Sequence, residues 1–153
     1  MGRKDSLAFN SHVFHEGTMA QGYEFFGAHA AQRESTDGYV FRVWAPHAKK
    51  VAVVGDFNDW DAEKNPMSIV EREIWEGFVP GLQEYDLYKF AITGPDGEIR
   101  MKADPYAFHA ETRPGTASKL YDIRGYEWHD QAFRAQRHRR KISEAPMNTY
   151  EVH

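Results

Sequence analysis

Cysteine is absent from the 153 residues, which excludes disulfides and thiolate metal sites. No apolar run approaches the roughly 20 residues that a membrane-spanning helix needs. Residues 1–6 lead into no apolar stretch of signal-peptide length, so the cytoplasm is the default expectation. Positive charge is in deficit: 19 Lys+Arg face 23 Asp+Glu, a formal −4. Neither nucleic acid nor an anionic membrane is therefore expected as a partner. Phosphate-cradling glycine loops, nucleophile elbows and His-Glu-x-x-His are missing too. His12 and His15 are spaced for a metal on a helix but lack a third ligand at a useful spacing, so no metal and no cofactor are expected. Asp56, Asp59, Asp61 and Glu63 read as a solvated acidic loop rather than as paired catalytic carboxylates. No catalytic residue is assigned.

Aromatic residues are abundant instead: four Trp, eight Tyr and ten Phe, 14% of the chain. That content argues against disorder, and the length suits one domain with a core of its own. The first 30 residues place Phe9, Phe14, Tyr23, Phe25 and Phe26 among glycines with no clean period. They are read as an irregular arm that docks through its aromatics, with room for a short helix. From Tyr39 the texture changes. β-branched and aromatic runs over 39–44, 51–54, 74–79 and 85–92 are closed by Gly, Pro or Asp. Gly94-Pro95-Asp96-Gly97 is a turn, since Pro presets φ and Gly accepts positive φ. Residues 98–101 form its return strand, and a last short strand falls within 118–123. Short strands at intervals of about ten residues, with no sustained 3.6 period, predict an all-β sandwich rather than parallel α/β. After Gly125 comes a basic run from Arg134 to Lys141, with Asp130 placed to cap a short helix. This run reads as a solvated or partner-docking linker. Residues 149–153 are strand-like with no closing turn, which hints at truncation.

The strongest binding candidate is Gly55-Asp56-Phe57-Asn58-Asp59-Trp60. A glucose ring offers one face of C–H bonds and a rim of hydroxyls. An indole packs on the first, while amides and charged groups bond the second. Trp60 reads either as such a platform, with Asn58 and Asp59 beside it, or as a tryptophan that closes the end of the sandwich core. Trp44 and Trp75 lie within strands and read as core. Lys89, between Tyr88 and Phe90, reads as an outward lysine that is solvated or donates to sugar hydroxyls.

Residues 39–48 followed by 51–60 resemble the N-terminal module of glycogen branching enzymes of the α-amylase family. Tyr85-Asp86-Leu87-Tyr88-Lys89-Phe90 and Lys102-Ala103-Asp104-Pro105-Tyr106-Ala107 fit the same family in order and spacing. Upstream, Tyr23-Glu24-Phe25-Phe26-Gly27-Ala28-His29 resembles its lead-in. Downstream, Pro146-Met147-Asn148-Thr149-Tyr150-Glu151-Val152-His153 resembles the first strand of its catalytic barrel. The resemblance implies an immunoglobulin-like sandwich of the glycogen-binding type over 31–125. It implies a lead-in over 1–30, and a linker with the first strand of a truncated barrel over 126–153. It implies Trp60 as the stacking residue, Lys89 as the strand lysine and Thr116 as a later polar contact. Asn58 is taken as a further glucan contact.

Two departures accompany it. Binding members carry a second stacking Trp after the hairpin turn, where this chain reads Glu98-Ile99-Arg100-Met101, and Ser118 stands where an Asn is expected. One indole on an open surface predicts weak affinity. The implied parent cuts an α-1,4-glucan and transfers the chain to a 6-hydroxyl, through a covalent glycosyl-enzyme. Its catalytic residues belong to the barrel. The expected partners are thus α-glucan, bound weakly, and the catalytic barrel of the same parent chain. The alternatives are a freestanding glycogen- or starch-binding adaptor and the module of a related debranching-type enzyme. Tyr150-Glu151-Val152-His153 argues against the adaptor, and Gly27-Ala28-His29 favours branching over debranching.

Overall fold

The computed structural model describes residues 6–137 and 146–152. The described residues up to Ile123 form one compact unit, and those from Arg124 on form a second. In chain order the first unit holds α1 (Leu7–His15), a 3-10 turn (Gly22–Glu24), β1 (Gly27–Arg33), β2 (Thr36–Trp44) and β3 (Lys50–Gly55). A second 3-10 turn (Asp56–Asn58) follows, then β4 (Ser68–Glu71), β5 (Ile74–Pro80), β6 (Leu87–Thr93), β7 (Ile99–Lys102), β8 (His109–Ala110) and β9 (Ser118–Lys119). The strands make two antiparallel sheets, β1-β2-β5-β4 and β3-β6-β9-β8, with β7 also paired to β6. This is the all-β sandwich that the strand spacing predicts, of the immunoglobulin-like type that the resemblance implies.

Period-2 alternation explains the core. Tyr39, Phe41 and Val43 of β2, Trp75 and Val79 of β5, Val51 and Val53 of β3, and Tyr88 and Phe90 of β6 face one another in one buried cluster. Phe41 and Tyr88 meet edge to face across the sheets at 5.2 Å. The Trp75 indole donates to the Ala45 carbonyl at 3.1 Å, so its only polar atom is satisfied inside. Trp44 departs from the expectation. Val43 points inward, so its neighbour points out, and Trp44 is 46% exposed. Phe14 and His15 of α1 cover part of its ring, at 5.6 and 6.3 Å between centroids.

The leading segment is more ordered than an irregular arm. Ser6 caps α1, its hydroxyl accepting from the Phe9 N–H at 3.2 Å. The boundary drawn at residue 30 falls inside β1, which runs antiparallel to β2 from Gly27 opposite Arg42 to Arg33 opposite Thr36. Phe25, Phe26 and Ile74 form a second buried cluster, packed by Leu7, Phe14, Met19, Val70 and Tyr106.

In the second unit α2 spans Gln131–Arg137, and the Arg134 N–H donates to the Asp130 carbonyl at 2.9 Å. Residues 146–152 form no strand. A strand needs a neighbour to satisfy its backbone, and that segment has none to pair with among the described residues. Residues 138–141 of the basic run, and His153, lie outside the described residues.

Candidate functional site

β3 ends at Gly55, where the chain must pass close to its neighbour. A Cβ on Gly55 would lie 2.1 Å from the Leu87 carbonyl oxygen and 2.4 Å from the Phe57 ring, so only glycine fits. The loop beyond is held by Asn58. Its Oδ1 accepts from the Gly55 N–H at 3.0 Å, and its Nδ2 donates to the Val53 carbonyl at 2.9 Å and to Asn65 Oδ1 at 2.7 Å. Asn58 is 4% exposed. The expectation that it contacts glucan is corrected by this burial: its donors and acceptor are committed to the loop, and it builds the turn that presents its neighbours. Asp59 and Trp60 both adopt left-handed backbone, with φ 59° and 58°. Such geometry costs on the order of 1–3 kcal/mol per non-glycine residue, and it persists where surrounding contacts over-determine it. Lys64 pairs with Asp59 at 2.8 Å. The hydrogen bond and the ammonium charge lower the Asp59 pKa, and the same bond and the carboxylate charge raise that of Lys64.

Trp60 does not close the core. With Ala62 it packs against Ala52 and Val54 of β3 and Ala91 of β6, a separate cluster. These residues alternate with core-facing Val51, Val53 and Phe90, so they belong to the outer face of the sheet. Small Ala52 and Ala91 leave a floor on which the indole lies. Its Nε1 donates to Asp56 Oδ1 at 2.8 Å, which fixes the ring's orientation. Sequence reading passed over Asp56 as part of the acidic cluster. Its signal was the four-residue spacing to Trp60 within a tight turn.

Register places the other residues. Val54, under the indole, is directly opposite Lys89, and Ala52 is opposite Ala91, which is opposite Met101. Thr93 is likewise opposite Ile99. Ile99 and Met101 are 51% and 43% exposed, so the apolar row continues across β7 without an aromatic ring. Lys89 sits where the partner of β6 changes, between Tyr88, paired to Ser118 of β9, and Phe90, paired to Lys102 of β7. Its Nζ donates to Thr116 Oγ1 at 2.7 Å. Thr116 is exposed and Lys89 half-buried. The structure therefore sets Trp60, Lys89 and Thr116 on one face and withdraws Asn58.

Ser118 is buried as well, its hydroxyl accepting from the Asp104 N–H at 2.9 Å. The Asp104 carboxylate accepts from the Tyr88 hydroxyl at 2.7 Å and from the Tyr106 N–H at 2.8 Å. Burial pushes the Asp104 pKa up against these bonds. Burial and the adjacent carboxylate push the Tyr88 hydroxyl up too. Among the described residues no group of three or more His, Asp or Glu is arranged to hold a metal ion. Among the described residues no helix is long and apolar enough to cross a membrane.

A sandwich whose loop lays a half-buried indole on the outer face of one sheet, beside a lysine and a threonine, defines the class of a carbohydrate-binding module. Residues 25–107 match the family described as carbohydrate-binding module 48 (isoamylase N-terminal domain). The chain belongs to this family, in the form carried by GlgB branching enzymes. It is 47% identical over 143 residues to 1,4-alpha-glucan branching enzyme GlgB of Bacillus caldolyticus, covering 93% of this chain and 22% of the relative. With the same-named protein of Bacillus subtilis strain 168 it shares 43% over 154 residues, 100% of this chain and 25% of the relative. The chain thus spans a quarter or less of the length of these curated relatives. Among solved structures, a pullulanase from Bacillus acidopullulyticus superposes with a TM-score of 0.51 at 25% identity, covering 63% of this chain and 12% of that one. Pullulanase type I from Bacillus subtilis strain 168, complexed with maltose, gives 0.56 at 23% identity over 80% of this chain and 15% of that one, a likeness of fold alone.

Proposed function

We propose that this chain is the non-catalytic, glucan-positioning module of a branching enzyme that cleaves α-1,4-glucan and transfers the cut chain to a 6-hydroxyl. Trp60 stacks on a glucose ring, and Lys89 and Thr116 bond its hydroxyls. The observation that carries this reading is the indole lying outside the core on a floor of Ala52, Val54 and Ala91, with Lys89 in the adjacent register position. One ring with two polar groups must offset the cost of association, so binding is weak, with Kd of about a millimolar. Weak contacts still hold a long glucan near a second site on the same parent chain, because the second encounter is intramolecular. The rest of the parent packs against this module. Exposed Tyr126, Trp128 and Phe133 in the second unit support a surface made to be covered.

Maltoheptaose titrated into the 153-residue chain, followed by indole fluorescence and NMR shifts, tests the site. Saturable shifts that vanish in Trp60→Ala are expected. Unchanged spectra at several times the expected Kd would reject the site. The chain by itself forms no branches, and new α-1,6 linkages after incubation with amylose would overturn that claim. The likeness to pullulanases favours a second reading, the module of a debranching enzyme, but 43–47% identity to branching enzymes outweighs 25% or less.

A further inference from the structure

We infer that Glu111 is a positioning residue for the Thr116 side of the sugar site; this rests on the glucan-binding function proposed above. β8 and β9 pair with His109 opposite Lys119 and Ala110 opposite Ser118. Continuing that register brings Glu111 opposite Ala117, and the Glu111 N–H donates to the Ala117 carbonyl at 2.9 Å. A hydrogen-bonded antiparallel pair ordinarily returns the bond, from the N–H of the second residue to the carbonyl of the first. Here the Ala117 N–H donates instead to Oε2 of the Glu111 side chain, at 3.0 Å. The carboxylate stands in for its own residue's carbonyl, and the ladder opens at that point.

The released segment closes on itself, the Gly115 N–H donating to the Thr112 carbonyl at 3.0 Å. A Cβ on Gly115 would lie 2.0 Å from Glu111 Cδ and 2.2 Å from Oε2, so the glutamate crosses this residue where any added side chain would displace it. The next residue is Thr116, whose hydroxyl accepts from Lys89 at 2.7 Å. β6 and β9 pair over only two residues, Leu87 with Lys119 and Tyr88 with Ser118, and Thr116 lies outside that ladder. Its height over Lys89 is therefore set by the staple from Glu111 to Ala117. Glu111 need not touch sugar to act. It fixes where the threonine hydroxyl and the lysine ammonium meet a ligand.

Five variants test this with maltoheptaose titrated into the full chain and read by NMR. Glu111→Ala removes the acceptor and weakens binding about fivefold, the worth of one lost hydrogen bond. Glu111→Gln keeps an oxygen acceptor and stays within about twofold of the parent. Gly115→Ala displaces the glutamate by steric contact and reproduces the weakening even if Glu111→Ala folds poorly. Thr116→Ala combined with Glu111→Ala binds no worse than Thr116→Ala alone, because the glutamate acts through the threonine; a merely destabilising change would instead add. Full affinity in Glu111→Ala and Gly115→Ala, or additive losses in the double variant, overturns the positioning role. If sugar shifts the wild type and Trp60→Ala abolishes the shifts, such a failure removes the positioning role alone. If the wild type does not respond at all, the glucan site and the positioning role fall together.

Discussion

On the outer face of the β1-β2-β5-β4 sheet, Ile74 is fully buried among Phe25, Phe26 and the residues of α1 and its following loop. On the outer face of the opposite sheet, Trp60 and Ala62 are the apolar residues packed on Ala52, Val54 and Ala91 among the described residues. Both faces follow the same alternation, yet the first carries large side chains under a helix and the second carries small ones under a single indole. The first face also holds its charges in a closed set. Glu76 takes hydrogen bonds from Arg33 at 2.5 Å and Arg42 at 2.6 Å, and Arg42 lies 4.9 Å over the Phe25 ring. On the second face the Lys89 ammonium meets a neutral partner, donating to the Thr116 hydroxyl. Satisfied groups under cover make structure, while small floors and part-exposed rings leave surface for a ligand.

The contrast breaks most sharply by truncating one ring on each face. Phe26, fully buried, meets Phe14 at 4.6 Å and stacks on Tyr106 at 5.1 Å. Phe26→Ala should cost about 3–5 kcal/mol of stability. Trp60→Ala should cost about 1–2 kcal/mol, since the ring is only half-buried, yet remove sugar binding. Chemical denaturation with a parallel titration measures both. Equal stability losses would mean that the second face is structural after all.

Asn58 sharpens the comparison at the join between loop and sheet. Asn58→Ala strands the Gly55 N–H and the Val53 carbonyl in a buried place, for a loss of about 2–3 kcal/mol. It should also red-shift Trp60 emission as the loop loosens. A variant as stable as the parent would return Asn58 to the surface role first expected of it.

Acid titration separates two carboxylates with opposite signs. Burial raises the Glu76 pKa, but Arg33 and Arg42 outweigh that, and its net value lies below the ordinary 4.5. The folded state therefore holds the proton less tightly than the unfolded one. Glu76 contributes stability above pH 4.5 that disappears as pH falls through its folded value. Asp104 is raised above 3.8, so its contribution is present below that pH and is lost as pH rises through its folded value. Glu76→Gln should flatten the acid limb of a Tm profile, and an unchanged limb would show that the triad carries no net stability. Its partners are part-exposed, so the effect is on the order of 1 kcal/mol.

Much of the sandwich was legible because its core strands are rich in Val, Phe, Tyr and Trp and its 94–97 turn carries Pro and Gly. β1 and β4 were not. β1 reads Gly-Ala-His-Ala-Ala-Gln-Arg, with few strand formers, and pairs because β2 supplies the neighbour. The tight turns joining β1 to β2 and β4 to β5 use Glu34-Ser35 and Arg72-Glu73 at positive φ, where sequence rules look for Asn or Gly. At the candidate site Trp60, Lys89 and Thr116 were visible as residue types at loop and strand positions. Their supports were hidden, because Asp56 and Glu111 act through side-chain oxygens aimed by the fold. Asn58 misled for the reverse reason: a polar residue next to a loop tryptophan looks available, and only three-dimensional contacts reveal that its amide is spent.

The smallest expected effect tests how complete the covered face is. Ser11 lies in α1, is 1% exposed, and its hydroxyl has no hydrogen-bond partner among the described residues. A buried hydroxyl in that state forfeits its water without compensation. Its backbone carbonyl is used, by His15 Nδ1 at 2.7 Å, so only the side chain is uncompensated. Ser11→Ala removes the orphan, fills nearly the same volume and raises helix propensity by about 0.5 kcal/mol. The variant should be more stable than the parent by about 0.5–1 kcal/mol, with maltoheptaose affinity unchanged because α1 belongs to the opposite face. A loss of stability would mean that the hydroxyl makes a contact that helps hold α1 against the sheet. The contrast between a satisfied face and a solvent-open one would then be stronger than the hydrogen bonds of the structure alone imply.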